Sequence, residues 1–227
     1  MRAVEDSLKR LNTDRIDVLF MHQFDGKLPI EEILRGLESV VQSGKVLYIG
    51  ASNYAAWQIA KGLGISERRG WARFDVIQPM YSLVKRQVES EILPMALSEN
   101  VGVIPYSPIG AGALSGKYSP NRDPGEGRLV VNAQYSKRYS ADGTYEAAAA
   151  FTEFAEDMGI HPVSLAIAWV GGHPAVTSPI IGARNVAQLK PALESVDIDM
   201  TPSLRAEISA LSKGPALAHD RFEESVK

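Results

Sequence analysis

The sequence predicts an α/β fold assembled from five parallel β/α units, on three observations. Five apolar runs have the length of a strand, a helical repeat follows each, and a polar residue stands where each apolar stretch stops. The runs are IDVLFMH at His22, VLYIGASN at Asn53, VIQPMYS around Gln78, GVIPYS at Ser107 and TSPIIGAR at Arg184. Strands that alternate with helices pair in parallel through right-handed crossovers. Loops that follow parallel strands open on one side of the sheet, so the polar residues at the strand ends are expected to share a site. A closed β/α barrel needs eight strands, and five make an incomplete one.

Each element has its own signal. Val4, Leu8 and Leu11 mark one face of an amphipathic helix, which reads as the end of a unit, so the chain is expected to begin mid-fold. The first strand spans 16–22. Pro29 then opens a helix whose apolar positions Ile30, Ile33, Leu34, Leu37, Val40 and Val41 recur until Ser43-Gly44. Strand 46–52 leads to a helix near 54–64, strand 76–82 to a helix near 87–99, and strand 102–107 follows Asn100 and Gly102. From Pro108 to Thr144 the chain turns to Gly, Ser, Pro, Asn and Asp, too long for an ordinary connection and therefore either a lid or a surface insertion. Leu114, Tyr118, Tyr135 and Tyr139 give this loop something to pack with. Helices follow at 145–159 and after His161-Pro162, then strand 177–182, a helix near 185–194 and a last one from Thr201-Pro202. No linker divides residues 1–227, and a single domain is expected.

Composition excludes several classes. A net charge of -3 and a pI near 5.9 leave no clustered cationic face for nucleic acid or lipid, and the pairs Lys85-Arg86 and Lys137-Arg138 read as solvated surface. With no cysteine there is no disulfide, thiolate metal site or cysteine nucleophile. The charged start after Met1 is not a signal peptide, and no apolar run reaches the ~20 residues of a membrane span, so a cytoplasmic chain is expected.

At the strand ends, His22 suits proton handling or polarisation of a ligand oxygen, or is tied to loop backbone. Ser52 and Asn53 either cap the next helix or face a ligand; Asn53 and Gln78 each offer a donor and an acceptor, as a primary carboxamide such as nicotinamide's requires. Tyr106 is core, or an aromatic face for a flat ring. Gly182 allows close approach, and Arg184 precedes a helix start at Asn185, a combination suited to phosphate unless Arg184 sits in a surface salt bridge. His161, His173 and His219 have no partners at metal spacing, and no metal site is expected. Neither a G-x-G-x-x-G turn nor a Walker-type loop is present, so a dinucleotide would bind in some other manner.

Five ordered blocks, SLKRLNTDRIDVLFMH, PIEEILRGLESVVQSGKVLYIGASNYAAWQ, VIQPMYSLVKR, VIPYSPIGAGALSGKY and SPIIGARNVAQL, resemble the aldo-keto reductase family, in its bacterial and plant branch similar to potassium-channel β-subunits. The resemblance implies a (β/α)8 TIM barrel, here incomplete with the family's strands 4–8, that binds NADPH and passes hydride between nicotinamide and the carbonyl carbon of a small aldehyde or ketone. It matches His22 to the active-site histidine, and Ser52, Asn53 and Gln78 to the nicotinamide-amide contacts. It matches Tyr106 to the stacking aromatic, Ser107, Ile109, Gly110 and Leu114 to the pyrophosphate loop, and Gly182, Arg184 and Gln188 to the adenosine-phosphate end. Where relatives often carry an asparagine four residues after the matched glutamine, this chain has Ala192. The resemblance places the family's catalytic tyrosine, its lysine partner and a buried aspartate ahead of the matched blocks, so impaired activity is expected, and missing strands leave open edges that favour homo-oligomers. The alternative expectation is a non-catalytic cofactor- or partner-binding protein.

Overall fold

The computed structural model describes residues 2–118 and 127–219. The chain forms two compact units, Met1–Pro79 with Pro94–Val103, and Met80–Leu93 with the residues from Ile104 onward.

The first unit carries a parallel sheet of four strands in the order β1-β2-β3-β4: β1 Ile16–Met21, β2 Val46–Ser52, β3 Phe74–Gln78 and β4 Gly102–Val103. Helix α1 (Arg2–Leu11) precedes it, α2 (Ile30–Gln42) and α3 (Ala56–Arg69) are the crossovers, and α4 (Ile92–Ser98) leads into β4. The apolar repeat of α2 does what its spacing requires: Ile30, Ile33, Leu34, Leu37 and Val40 are buried, as are Ile49, Ile59, Leu63, Phe74 and Ile77. A bulge at Ile49/Gly50 lets β2 and β3 pair out of simple step. Gly50 is required there, because a Cβ would lie 2.6 Å from the Phe20 ring and 2.8 Å from the Val76 carbonyl oxygen.

In the second unit the helices are α5 (Arg128–Val131), α6 (Ala133–Arg138), α7 (Thr144–Asp157), α8 (Pro162–Gly171), α9 (Val186–Leu193) and α10 (Pro202–Ala210). Helix α8 is buried on nearly every side and places Trp169, fully buried, beside Tyr81 with ring centroids 5.2 Å apart. The pair Lys85-Arg86 is not solvated surface. Arg86 makes a bidentate contact to Glu89 and donates to the carbonyls of Ser209 and Ser212, and Tyr81 accepts from Arg205 and donates to Glu89, each at 2.7 Å.

Three expected strands are shortened or lost. The third pairs only over 74–78, because the buried Pro79 has no N–H to continue a ladder; beyond it Met80 makes one isolated parallel bridge to Tyr106. The fourth stops at Val103, before Pro105. The fifth, 177–182, is no strand: around Pro179 the chain contributes a single backbone bond, from Ile180 N–H to the Pro105 carbonyl at 2.8 Å. The long connection is ordered where it is described. Short helical turns at 110–112 and 113–117, with α5 and α6, enclose a small core of Ala113, Tyr118, Leu129 and Tyr139, while residues 119–126 lie outside the described residues.

Candidate functional site

In the first unit the ends of β1, β2 and β3 are tied together by polar side chains. His22 follows β1 directly, Ser52 is the last residue of β2 and Gln78 the last of β3. The buried Ser52 hydroxyl donates to the Gln78 carbonyl at 2.8 Å, and the Asn53 amide nitrogen donates to the His22 carbonyl at 2.9 Å and to Ser52 Oγ at 3.0 Å. Neither Ser52 nor Asn53 caps the following helix. Its N-cap is Ala55, whose N–H is taken by the Gln58 side chain at 2.8 Å. Asn53 stands at φ 58, a left-handed conformation that asparagine tolerates better than most residues. Among the described residues neither the His22 imidazole nor the Gln78 carboxamide makes a side-chain hydrogen bond within the protein. The cluster therefore fixes the backbone of three strand ends while leaving a ring and an amide for other chemistry.

The second unit has its own polar constellation. Tyr106 is half-buried and Ser107 adopts φ 59, followed by Gly110 at φ 59, whose missing Cβ leaves room for Val84, 2.9 Å from where it would stand. Leu114 is fully buried, so its matched role reduces to a backbone contact. Burial raises the Tyr106 phenol above its ordinary range, and the Arg138 charge opposes this. Burial also pushes Tyr139 up to about 12, against a Ser107 hydrogen bond and Arg138. Residues that the strand-end pattern did not single out crowd here: the Arg128 and Arg138 guanidiniums bracket the Tyr135 ring at 5.1 and 5.0 Å, and the Lys85 ammonium lies 5.8 Å from Tyr139. The alternation of tyrosine and basic residues in QYSKRY is a sequence signal that could have found Tyr135, Arg138 and Tyr139, whereas Lys85 and Arg128 lie outside it.

Gly182, Arg184 and Gln188 are exposed. Asn185 caps α9 by accepting from Gln188 N–H at 3.0 Å, and Gln188 accepts from Arg184 N–H at 3.1 Å, so side chains from both directions fix the turn. Arg184 enters no salt bridge among the described residues. Ala192 is buried and faces the protein. His161 and His173 are structural, each accepting through Nδ1 from a backbone N–H two residues on.

Residues 1–213 match the model of the aldo/keto reductase family. The chain belongs to that family. It is 34% identical to an uncharacterized oxidoreductase, YrpG, of Bacillus subtilis (strain 168), over 94% of this chain and 64% of that protein. It is 36% identical to a versiconal hemiacetal acetate reductase of Aspergillus parasiticus, over 89% of this chain and 58% of the relative. A probable voltage-gated potassium channel subunit beta of Arabidopsis thaliana is 33% identical over 87% of the chain and 61% of its own length. The chain thus spans roughly three fifths of the length of these curated relatives. Family membership agrees with the parallel α/β sheet of the first unit. No helix among the described residues is long and apolar enough to cross a membrane.

Proposed function

We propose that this chain is part of an NADPH-dependent reductase of aldehydes or ketones, and that its β/α segments form part of one barrel domain in a cytoplasmic protein. The observation that carries this reading is the tie between the ends of β1, β2 and β3. Among the described residues it leaves the His22 ring and the Gln78 carboxamide without hydrogen-bond partners, at the positions where the family's pattern puts substrate and nicotinamide contacts.

The residues present suit such a coenzyme. Gln78 offers a donor and an acceptor to a carboxamide, with Ser52 and Asn53 holding the backbone around it. Tyr106 offers an aromatic face. Ser107, Ile109, Gly110 and Leu114 belong to a tight loop with four positive-φ residues, Ser107, Gly110, Ala111 and Gly112, fit for close approach of backbone N–H groups to a pyrophosphate. Gly182 and Arg184, with Gln188 bracing the turn, offer a guanidinium and open space to the adenosine phosphate. When bound, the reduced nicotinamide supplies the hydride. His22 is the residue of this chain placed to polarise a carbonyl oxygen and to give it a proton, and a positioned acid of this kind contributes ~10²–10⁴-fold.

Titration with NADPH, followed through the emission of Trp57, Trp71 and Trp169, tests coenzyme binding, and a reactive aldehyde tests turnover. Saturable binding that weakens in Gln78→Ala, together with turnover that falls in His22→Ala, is the expected result; no binding at millimolar NADPH refutes the reading. A second reading, partner binding without turnover, is favoured by the similarity to channel β-subunits. Binding without turnover of any aldehyde would select it, and a homo-oligomer in sedimentation would supply one such partner.

A further inference from the structure

A concavity of about 350 Å³ lies in the first unit on the loop that follows β1 and the first turns of α3. Its walls are aromatic and aliphatic: Phe24, Leu28, Pro29 and Trp57. Two of these expose large apolar surface, Trp57 at 60% and Leu28 at 51%. The walls are braced from behind, since Phe24 meets Trp57 edge-on at 6.3 Å and Tyr54 at 5.2 Å, and Tyr54 in turn meets Phe74 at 5.7 Å. Lys27 and Lys61 complete the lining. Lys61 stands four residues after Trp57 on α3, and therefore on the same helix face, one turn along.

Charge decides what such a hollow would hold. Neither lysine enters a salt bridge among the described residues. Of the carboxylates nearby in sequence, Glu31 pairs with Arg69 and Glu32 with Arg35, while Asp25 is turned to the Lys27 backbone N–H and leaves the two lysines in excess by one positive charge. The first turn of α3 carries no acidic residue, and although the Gln58 amide oxygen takes the Ala55 N–H, that helix end adds a positive field that no carboxylate of its own first turn offsets. A flat apolar wall edged by two unpaired ammonium groups is complementary to a flat apolar body that carries a negative charge.

We propose that Trp57, Phe24 and Leu28, with Lys27 and Lys61, form a binding site for an aromatic carboxylate. This site is separate from the strand-end residues His22, Asn53 and Gln78, and its test does not depend on reductase activity. 1-Naphthaleneacetate, titrated calorimetrically against the whole chain, is the probe; 1-naphthalenemethanol and 1-naphthylmethylammonium are the neutral and cationic controls. The carboxylate binds saturably, and about tenfold more tightly than the ammonium compound at low salt, with the gap closing as salt is added. Trp57→Ala weakens it by about tenfold or more, and Lys61→Gln and Lys27→Gln by about two- to fivefold each. Circular dichroism verifies the fold of each variant, and the two lysine variants keep the test decisive should Trp57→Ala not fold. Absence of saturable binding at millimolar probe, equal affinity for the three probes, or unchanged affinity in both lysine variants overturns the proposal.

Discussion

Asn53 combines a left-handed backbone with two side-chain hydrogen bonds, so a pair of substitutions separates the two contributions. In Asn53→Gly the φ of 58 costs nothing, while the bonds to the His22 carbonyl and to Ser52 Oγ are lost. An intramolecular bond is worth ~0.5–1.5 kcal/mol net, and because this residue is exposed we take the low end, giving about 1 kcal/mol for the two. Asn53→Ala loses the same bonds and keeps a Cβ in the left-handed region without the local hydrogen bonding that lets asparagine tolerate it, which places it ~1–2 kcal/mol above glycine. The alanine variant is therefore less stable than the glycine variant by about that amount. Urea unfolding measures this as a midpoint lower by about 0.5–1 M for an m-value of ~2 kcal/mol per M. The same proteins, titrated with NADPH, report on the amide: both variants bind at least about tenfold more weakly if it orients the coenzyme. Equal midpoints for alanine and glycine would refute the backbone argument, and wild-type NADPH affinity in Asn53→Gly would refute the role given to the amide.

Three further outcomes are expected. Tyr81→Phe removes the hydroxyl that joins Glu89 to Arg205 inside the second unit and costs ~1.5–3 kcal/mol in urea unfolding, since both lost bonds involve charged groups. Gly50→Ala forces a Cβ against the Val76 carbonyl, which cannot swing aside as the Phe20 ring can, and costs ~1–3 kcal/mol; a neutral outcome would show that β2 and β3 part easily at the bulge. His173 is held below its ordinary value of 6.5 by burial first and Arg205 second, against Glu89. The unfolded chain thus takes up this proton more readily, so the contribution is whole above about pH 6.5 and disappears as pH falls through the lower folded value. Unfolding midpoints should fall between pH 7.5 and 5.5 more steeply in the natural chain than in His173→Gln.

Much of the candidate site was legible because strand ends announce themselves: an apolar run that stops at His22, Asn53 or Gln78 needs only a parallel sheet to bring those residues to neighbouring rims. The tie through Ser52 was not legible. A serine before an asparagine at a strand end resembles a helix cap, and only the register of β2 against β3 puts its hydroxyl on the Gln78 carbonyl instead. The strands at 102–107 and 177–182 were over-read for a related reason. Apolar content marks burial, whereas a ladder also needs N–H donors, and Pro105 and Pro179 withhold them.

Local signals by themselves determined the alternation of strands and helices, the apolar face of α2, the Asn185 cap, and family membership, since periodicity, capping chemistry and motif order are written within short windows of chain. Tertiary structure alone decided which charges are solvated. Arg86 and Lys85 look alike as neighbours in sequence, yet one is locked onto Glu89 and two carbonyls of the C-terminal region while the other lies over Tyr139. The Ser209 and Ser212 carbonyls lie more than a hundred residues from Arg86, and Tyr139 is also far from Lys85 in sequence, so no local pattern encodes that difference.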